Sequence, residues 1–258
     1  MNKTKINWCD YTWNPITGCS KIAQGCKYCY AESMANRFWG DRKFTDIQFH
    51  EERLSDTKFR SKKSMRVFVN SMSDLFHESI PVETITKIYQ VFIDNYNQHT
   101  FLVLTKRIKR AMSIHNHLLD YFFGNQSVDN LPNLWIGYSA STQKDLDAGI
   151  DYLKNTDAKV KWLSLEPLIE PVNIYKVDWI VIGCESGNKR REFNNSWARE
   201  IIIEATNFNI PIWVKQIRNK DNKVIEDINL FPIELQLREL PFISTPEACP
   251  MNGVVFKP

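Results

Sequence analysis

The chain has 258 residues and a mass of 30.3 kDa, enough for one barrel-sized domain and too long for a minimal disulfide-held scaffold. Hydrophobic residues make up 43% and charged residues 24%, ordinary globular values that exclude disorder, collagen-like repeats and coiled coils. Lys and Arg number 33 against 30 Asp and Glu, a formal +3, so net charge does not announce a nucleic-acid binder and any basic surface must come from local clustering.

The opening MNKTKINWCD lacks the apolar core of a signal peptide, and no apolar run approaches the roughly 18 residues a membrane helix needs. A cytoplasmic protein with no membrane partner is expected. The first strand is expected through NWCDYTWN (7–14), where Trp8, Tyr11 and Trp13 are aromatic β-formers. A cysteine loop follows, and a helix should begin near Tyr30 or Ala31. Residues 40–65 read as a polar excursion with a short strand in FTDIQFH. Six apolar runs then recur: RVFVN (66–70), TFLVL (100–104), LWIG (134–137), VKWLSL (160–165), WIVIG (179–183) and PIWVK (211–215).

Stretches of helical period separate them. Ile85, Ile88, Tyr89, Phe92 and Ile93 share one face after Pro81; Ile108, Met112 and His115 follow, then Leu146, Ile150 and Leu153, and a helix from about Trp197 to Ala205. Residues 166–177 hold two prolines and leave too little room for a crossover helix, so a loop is expected there. Nearly continuous apolar runs mark strands buried on both faces. With no doubled glycine fingerprint, the series predicts an α/β fold: a partial, open TIM-like barrel of about six to seven parallel strands with an N-terminal cysteine loop. The barrel is expected over residues 1–217, with 218–258 as a C-terminal extension packed on the same domain.

Four of the six cysteines, Cys9, Cys19, Cys26 and Cys29, lie near the N-terminus, whereas Cys184 and Cys249 stand alone. That count and placement favour metal chemistry over disulfides. Cys19, Cys26 and Cys29 can hold three corners of an iron-sulfur cube and leave one iron open. A closed four-thiolate zinc site with Cys9 as the fourth ligand is the competing reading, and three ordinary thiols a further one. The residues just past each strand are where a barrel keeps its chemistry. They are Asn70, Ser71 and Asp74; Thr105, Lys106 and Arg107; Ser139 and Ser141; Ser164 and Glu166; Glu185 and Ser186; Lys215 and Gln216. Glu166 and Glu185 stand out because a carboxylate beside a buried strand needs a partner or a ligand; a salt bridge to Lys106 or Lys215 is the plain alternative.

The run WCDYTWNPITGCSKIAQGCKYCYAE, followed by VNSMSDLFHESIP, VLTKR, LSLEPL and a Gly-Cys-Glu-Ser-Gly element, resembles a phage-associated three-cysteine-motif family of uncharacterised function. That family is similar to a divergent branch of the radical S-adenosylmethionine enzymes, whose usual signature is Cys-x3-Cys-x2-Cys with an aromatic residue before the last Cys. Tyr28 occupies the aromatic position here, and the first gap is x6 instead of x3.

The resemblance implies a 4Fe-4S cluster on Cys19, Cys26 and Cys29, with S-adenosylmethionine at the open iron. It also implies cleavage to a 5′-deoxyadenosyl radical and an electron donor such as flavodoxin or ferredoxin. Asn70 or Asp74 would meet the methionine amino group, Lys106 its carboxylate, and Ser139 and Glu166 the ribose, with Glu185 also in the cofactor pocket. Basic clusters at 58–66, 105–110 and 188–191 suggest a DNA or RNA substrate to be modified or repaired, held by Arg107, Lys109, Arg110, Lys189, Arg190 and Arg191. The alternative function is a non-catalytic, zinc-stabilised nucleic-acid-binding protein. His50, His77, His99, His115 and His117 show no metal spacing.

Overall fold

The computed structural model describes residues 1–125, 127, 129–186, 191–219 and 221–242. Asn2–Lys3 (β1) pairs antiparallel with Tyr11–Trp13 (β2). The expected 7–14 strand is thus shorter: Cys9 N donates to the Ile6 carbonyl at 3.3 Å, turning the chain so that Trp8 leaves the strand. Ile16–Thr17 (β3) precedes the cysteine loop, and Tyr30–Phe38 (α1) follows it. Gln48–Phe49 (β4) pairs antiparallel with β3 in a separate small sheet. The rest of the polar excursion includes two 3₁₀ turns, Glu51–Ser55 and Thr57–Arg60.

From there strands and helices alternate: Arg66–Val69 (β5), Val82–Asp94 (α2), Thr100–Thr105 (β6), Ile108–Phe123 (α3), Leu134–Ser139 (β7), Gln143–Lys154 (α4) and Val160–Leu165 (β8). Trp179–Gly183 (β9) comes after a connection without a helix, as its prolines suggest, and then Asn195–Asn207 (α5), Ile212–Arg218 (β10) and Val224–Ile225 (β11). Among the described residues the main sheet has the order β1-β2-β5-β6-β7-β8-β9-β10-β11. β2 and β5 to β10 run parallel, and the short edge strands β1 and β11 are antiparallel. The fold is α/β with a mostly parallel sheet, and each strand lies beside its predecessor, so the winding never reverses.

The period of two sorts the strand side chains onto two faces. Val67, Val69, Phe101, Val103, Ile136, Leu163, Ile180 and Val214 pack under the helices. Phe68, Leu102, Trp135, Trp162, Trp179, Val181 and Trp213 form a second cluster around Trp8. The Trp8 ring lies 4.8 Å from that of Phe68 and 5.6 Å from that of Trp162, while Asn7 Oδ1 accepts from Trp213 Nε1 at 2.8 Å. In a flat sheet β5 and β10, five steps apart, would be separated by about 24 Å. Two adjacent residues that touch both require the sheet to curl, with the indoles on its concave face.

The first part of the expected C-terminal extension packs on the domain. β11 forms a hairpin with β10, Phe231 and Leu235 are buried, and Trp179 Nε1 donates to the Glu239 carbonyl at 2.8 Å. Residues 243–258, Cys249 included, lie outside the described residues. Among the described residues no helix is long and apolar enough to cross a membrane.

Candidate metal and cofactor site

Above the indole cluster, at the C-terminal ends of the parallel strands, lies a cavity of about 190 Å³. Cys19, Cys26 and Cys29 line it from the loop, and Asn70, Asp74, Lys106, Ser139, Glu166 and Glu185 line it from successive strand ends. Two glycines let the loop sit there. Gly18 has φ +98, and a Cβ on it would lie 2.5 Å from the Asp46 carbonyl oxygen. A Cβ on Gly25 would lie 2.2 Å from Ser141 Oγ and 3.1 Å from Lys106 Nζ, so the loop backbone presses against the ends of β6 and β7. The loop is fastened by Gly18 N to Met72 O at 3.0 Å and Cys19 N to Phe44 O at 2.9 Å, and Cys29 caps α1.

Burial pushes the Cys19 thiol up to about 12, with the Asp74 carboxylate adding to it and Arg107 opposing it, and burial also raises Cys29. Metal binding would have to expel both protons. Cys9 is elsewhere: it packs among the indoles, its thiol donates to the Ile6 carbonyl at 3.8 Å, and burial pushes it up to about 12. Cys9 thus does not line the cavity that Cys19, Cys26 and Cys29 share. Among the described residues no three His, Cys, Asp or Glu side chains are drawn together closely enough to hold a single ion.

The strand-end residues are mostly engaged with one another. Asp74 accepts from Thr105 Oγ1 at 2.7 Å, Phe76 N at 3.0 Å, Lys106 N at 3.1 Å and Arg107 Nη1 at 3.2 Å. Four donors match the accepting capacity of a carboxylate. Lys106 Nζ donates to Ser139 Oγ at 2.7 Å; burial pulls its ammonium below the usual range, and neighbouring Cys26 and Asp145 oppose that. Glu166 pairs with Lys215 and not with Lys106. Glu185 pairs with Arg191 at 2.5 Å. Asn70, at φ 58, uses its Oδ1 to accept from Ile16 N at 3.2 Å, and its buried Nδ2 has no protein partner. Three soft sulfurs on one loop, in a cavity shared with polar strand ends, suit a thiolate-held cluster with a polar small molecule beside it.

Among the described residues, the basic side chains expected to hold a phosphate chain divide between the cavity and the helical layer. Arg107 turns inward and is buried, Lys109 lies on α3 with its ammonium 5.8 Å from the Tyr152 ring, and Arg110 donates to the Ile80 carbonyl at 2.6 Å. Because α3 starts at Ile108, residues 109 and 110 leave the strand end for the helical layer. Arg191 stands at the rim, where it donates to Gln24 O at 3.0 Å and covers the Tyr28 ring. Lys189 and Arg190 lie outside the described residues. Two residues without a motif of their own also brace the loop: the Ser20 hydroxyl meets His77 Nε2 at 2.7 Å, and Tyr30 donates to Ser71 O at 2.5 Å. Their one sequence signal is position, adjacent to Cys19 and Cys29.

Residues 3–230 match the model of a family described as proteins of unknown function, DUF5131. No curated protein matches the chain. A solved structure of spore photoproduct lyase complexed with dinucleoside spore photoproduct is similar at a TM-score of 0.47 and 10% sequence identity, over 84% of this chain and 67% of that one.

Proposed function

We propose that this chain, which belongs to the DUF5131 family, is a radical S-adenosylmethionine-type iron-sulfur enzyme on an incomplete barrel. In this reading residues 1–217 carry the site and 218–258 are an extension. The observation that supports it is that Cys19, Cys26 and Cys29 line one cavity with six polar strand-end residues, while Cys9 packs among the indoles. Cys19, Cys26 and Cys29 would hold three irons of a 4Fe-4S cluster. The bound pair of cluster and S-adenosylmethionine supplies reductive cleavage of the cofactor, with the electron coming from an external donor such as flavodoxin or ferredoxin.

The chain's own part is to bind, orient and keep water out. Asn70 holds Ile16 N through its Oδ1 and so shapes the cavity wall beside the cysteine loop. Asp74 is saturated by its four donors, so the methionine amino group falls to Glu166, which uses only one carboxylate oxygen on Lys215. Lys106 would offer its ammonium to the cofactor carboxylate, and Ser139 and Glu185 would complete the wall.

Anaerobic purification tests this reading. Brown protein is expected, with iron and acid-labile sulfide in equal amounts, and dithionite plus S-adenosylmethionine should yield 5′-deoxyadenosine. Cys19→Ala, Cys26→Ala and Cys29→Ala should each lose the iron, while Cys9→Ala keeps it. Colourless protein holding zinc, or iron lost on removing Cys9, would overturn the reading.

A further inference from the structure

Arg107 is only 6% exposed, yet it places a charge in the cavity wall. It is also the residue that caps the N-terminus of α3, the end of a helix where a cation is electrostatically disfavoured. Its placement therefore depends on the acceptors around it. A guanidinium carries five N–H donors, and five acceptors surround this one. Nε donates to Glu78 Oε2 at 2.7 Å, and Nη1 to Asp74 Oδ2 at 3.2 Å and to Cys19 Sγ at 3.8 Å. Nη2 donates to the Ser20 carbonyl at 3.2 Å and to Ser20 Oγ at 3.0 Å.

The partners come from two separate segments. Asp74 and Glu78 follow β5, and Asp74 is itself fixed by β6 through Thr105 and the Lys106 amide. Cys19 and Ser20 belong to the cysteine loop. A structural ion pair would need only Asp74; the planar fork goes further and grips the loop at three atoms, one of them the sulfur. A lysine could not reproduce that geometry, because its ammonium is a point charge.

We infer that Arg107 is the positioning residue of the iron-sulfur site: it fixes Cys19 against the strand ends and donates to its sulfur once that sulfur is a ligand. The inference rests on the cluster reading given above. Hydrogen bonds and positive charge at a ligand sulfur favour the more negative, reduced cluster and so raise its potential. Outer partners of this kind typically govern metal affinity by about 10–100-fold.

The test compares wild-type protein with Arg107→Lys, which keeps a cation opposite Asp74. Both are reconstituted anaerobically, titrated with an iron chelator, and poised for redox titration followed by electron paramagnetic resonance. Arg107→Lys should release iron at about tenfold lower chelator concentration. Its midpoint potential should be more negative, each tenfold loss of preference for the reduced cluster reading as about 59 mV. Circular dichroism checks that the variant is folded. If it is not, Ser20→Ala decides, because it removes one of the loop anchors and leaves the Asp74 pair intact; iron release should again be easier. A folded variant with wild-type retention and potential overturns the role of Arg107 and leaves the cluster reading standing. Wild-type protein that takes up no iron overturns the cluster reading itself.

Discussion

The two faces of the main sheet differ in the side chains that predominate on them. Under the helices, Val67, Val69, Val103, Ile136, Leu163 and Ile180 fill space with branched aliphatic groups. On the concave face Trp8, Trp135, Trp162, Trp179 and Trp213 do the same work with indoles, at ring separations from 5.1 to 6.4 Å along the Trp8–Trp162–Trp179–Trp213 line. The outer face needs only volume and hydrophobicity, since the helices α2 to α5 can shift to meet it. Among the described residues no helical layer covers the inner face: it fills itself, and large flat rings span the gap that curling leaves. The difference shows how this fold separates tasks, with a dense floor of rings below and polar strand ends free to line the cavity above.

That comparison breaks most easily at Trp162. Its side chain is fully buried, and it lies where a Cβ on Gly137 would come within 2.3 Å of its ring. Trp162→Ala should cost about 3–5 kcal/mol, from lost transfer energy and a cavity that neighbouring rings cannot close. Ile136→Val, one residue from an inner-face indole on the adjacent strand but facing the helices, should cost only about 1 kcal/mol. Urea denaturation of both variants measures the gap. Equal losses would mean that the two faces are packed alike.

Acid sharpens the comparison next. His115 of α3 is buried against the Tyr89 hydroxyl of α2 at 3.0 Å, and burial lowers it from 6.5 to about 4. The folded protein therefore keeps it neutral while the unfolded chain takes up a proton below pH 6.5. Stability contributed by the neutral form is complete above pH 6.5 and falls as pH drops toward 4, by at most about 1.4 kcal/mol per pH unit. Burial raises the Cys9 thiol on the indole face, a group already neutral across this range, so the acid response expected here comes through His115 on the helical side. His115→Gln should flatten the slope of unfolding free energy between pH 6.5 and 4; an unchanged slope would place the acid sensitivity elsewhere.

The sequence revealed the two faces unequally. Alternating and continuous apolar runs marked the strands from β5 to β10, and the helical period marked Ile85, Ile88 and Phe92 of α2, because those signals are local. Trp8 was misread as a strand residue, since an aromatic beside Tyr11 carries the same local propensity whether it extends the strand or plugs the concave face. The same limit applies at the site. Adjacency to a strand end is local, and Asp74, Lys106, Ser139, Glu166 and Glu185 do line one cavity. Whether a basic residue at a strand end turns in or out depends on acceptors distant in sequence: Arg107 turned in because Asp74, Glu78 and Ser20 wait there. Lys109, the second residue of α3, turned out.

The smallest effect belongs to the cavity mouth, and it tests whether the polar rim supports the fold or only the site. Glu166 and Lys215 pair across the ends of β8 and β10, with side chains 17% and 16% exposed. Partial access to water screens the attraction, while each side chain gives up conformational freedom to hold the geometry. Glu166→Gln should therefore cost about 1 kcal/mol, more than a fully exposed pair because the ammonium left behind is partly desolvated, and far less than Trp162→Ala. A double-mutant cycle with Lys215→Met isolates the pair, because the residual coupling between contacting residues is what the cycle reads. Coupling of a few tenths to about 1 kcal/mol, falling with added salt, would show that the floor carries the fold and leaves the rim free to serve chemistry. Coupling as large as the loss at Trp162 would erase the distinction between floor and mouth.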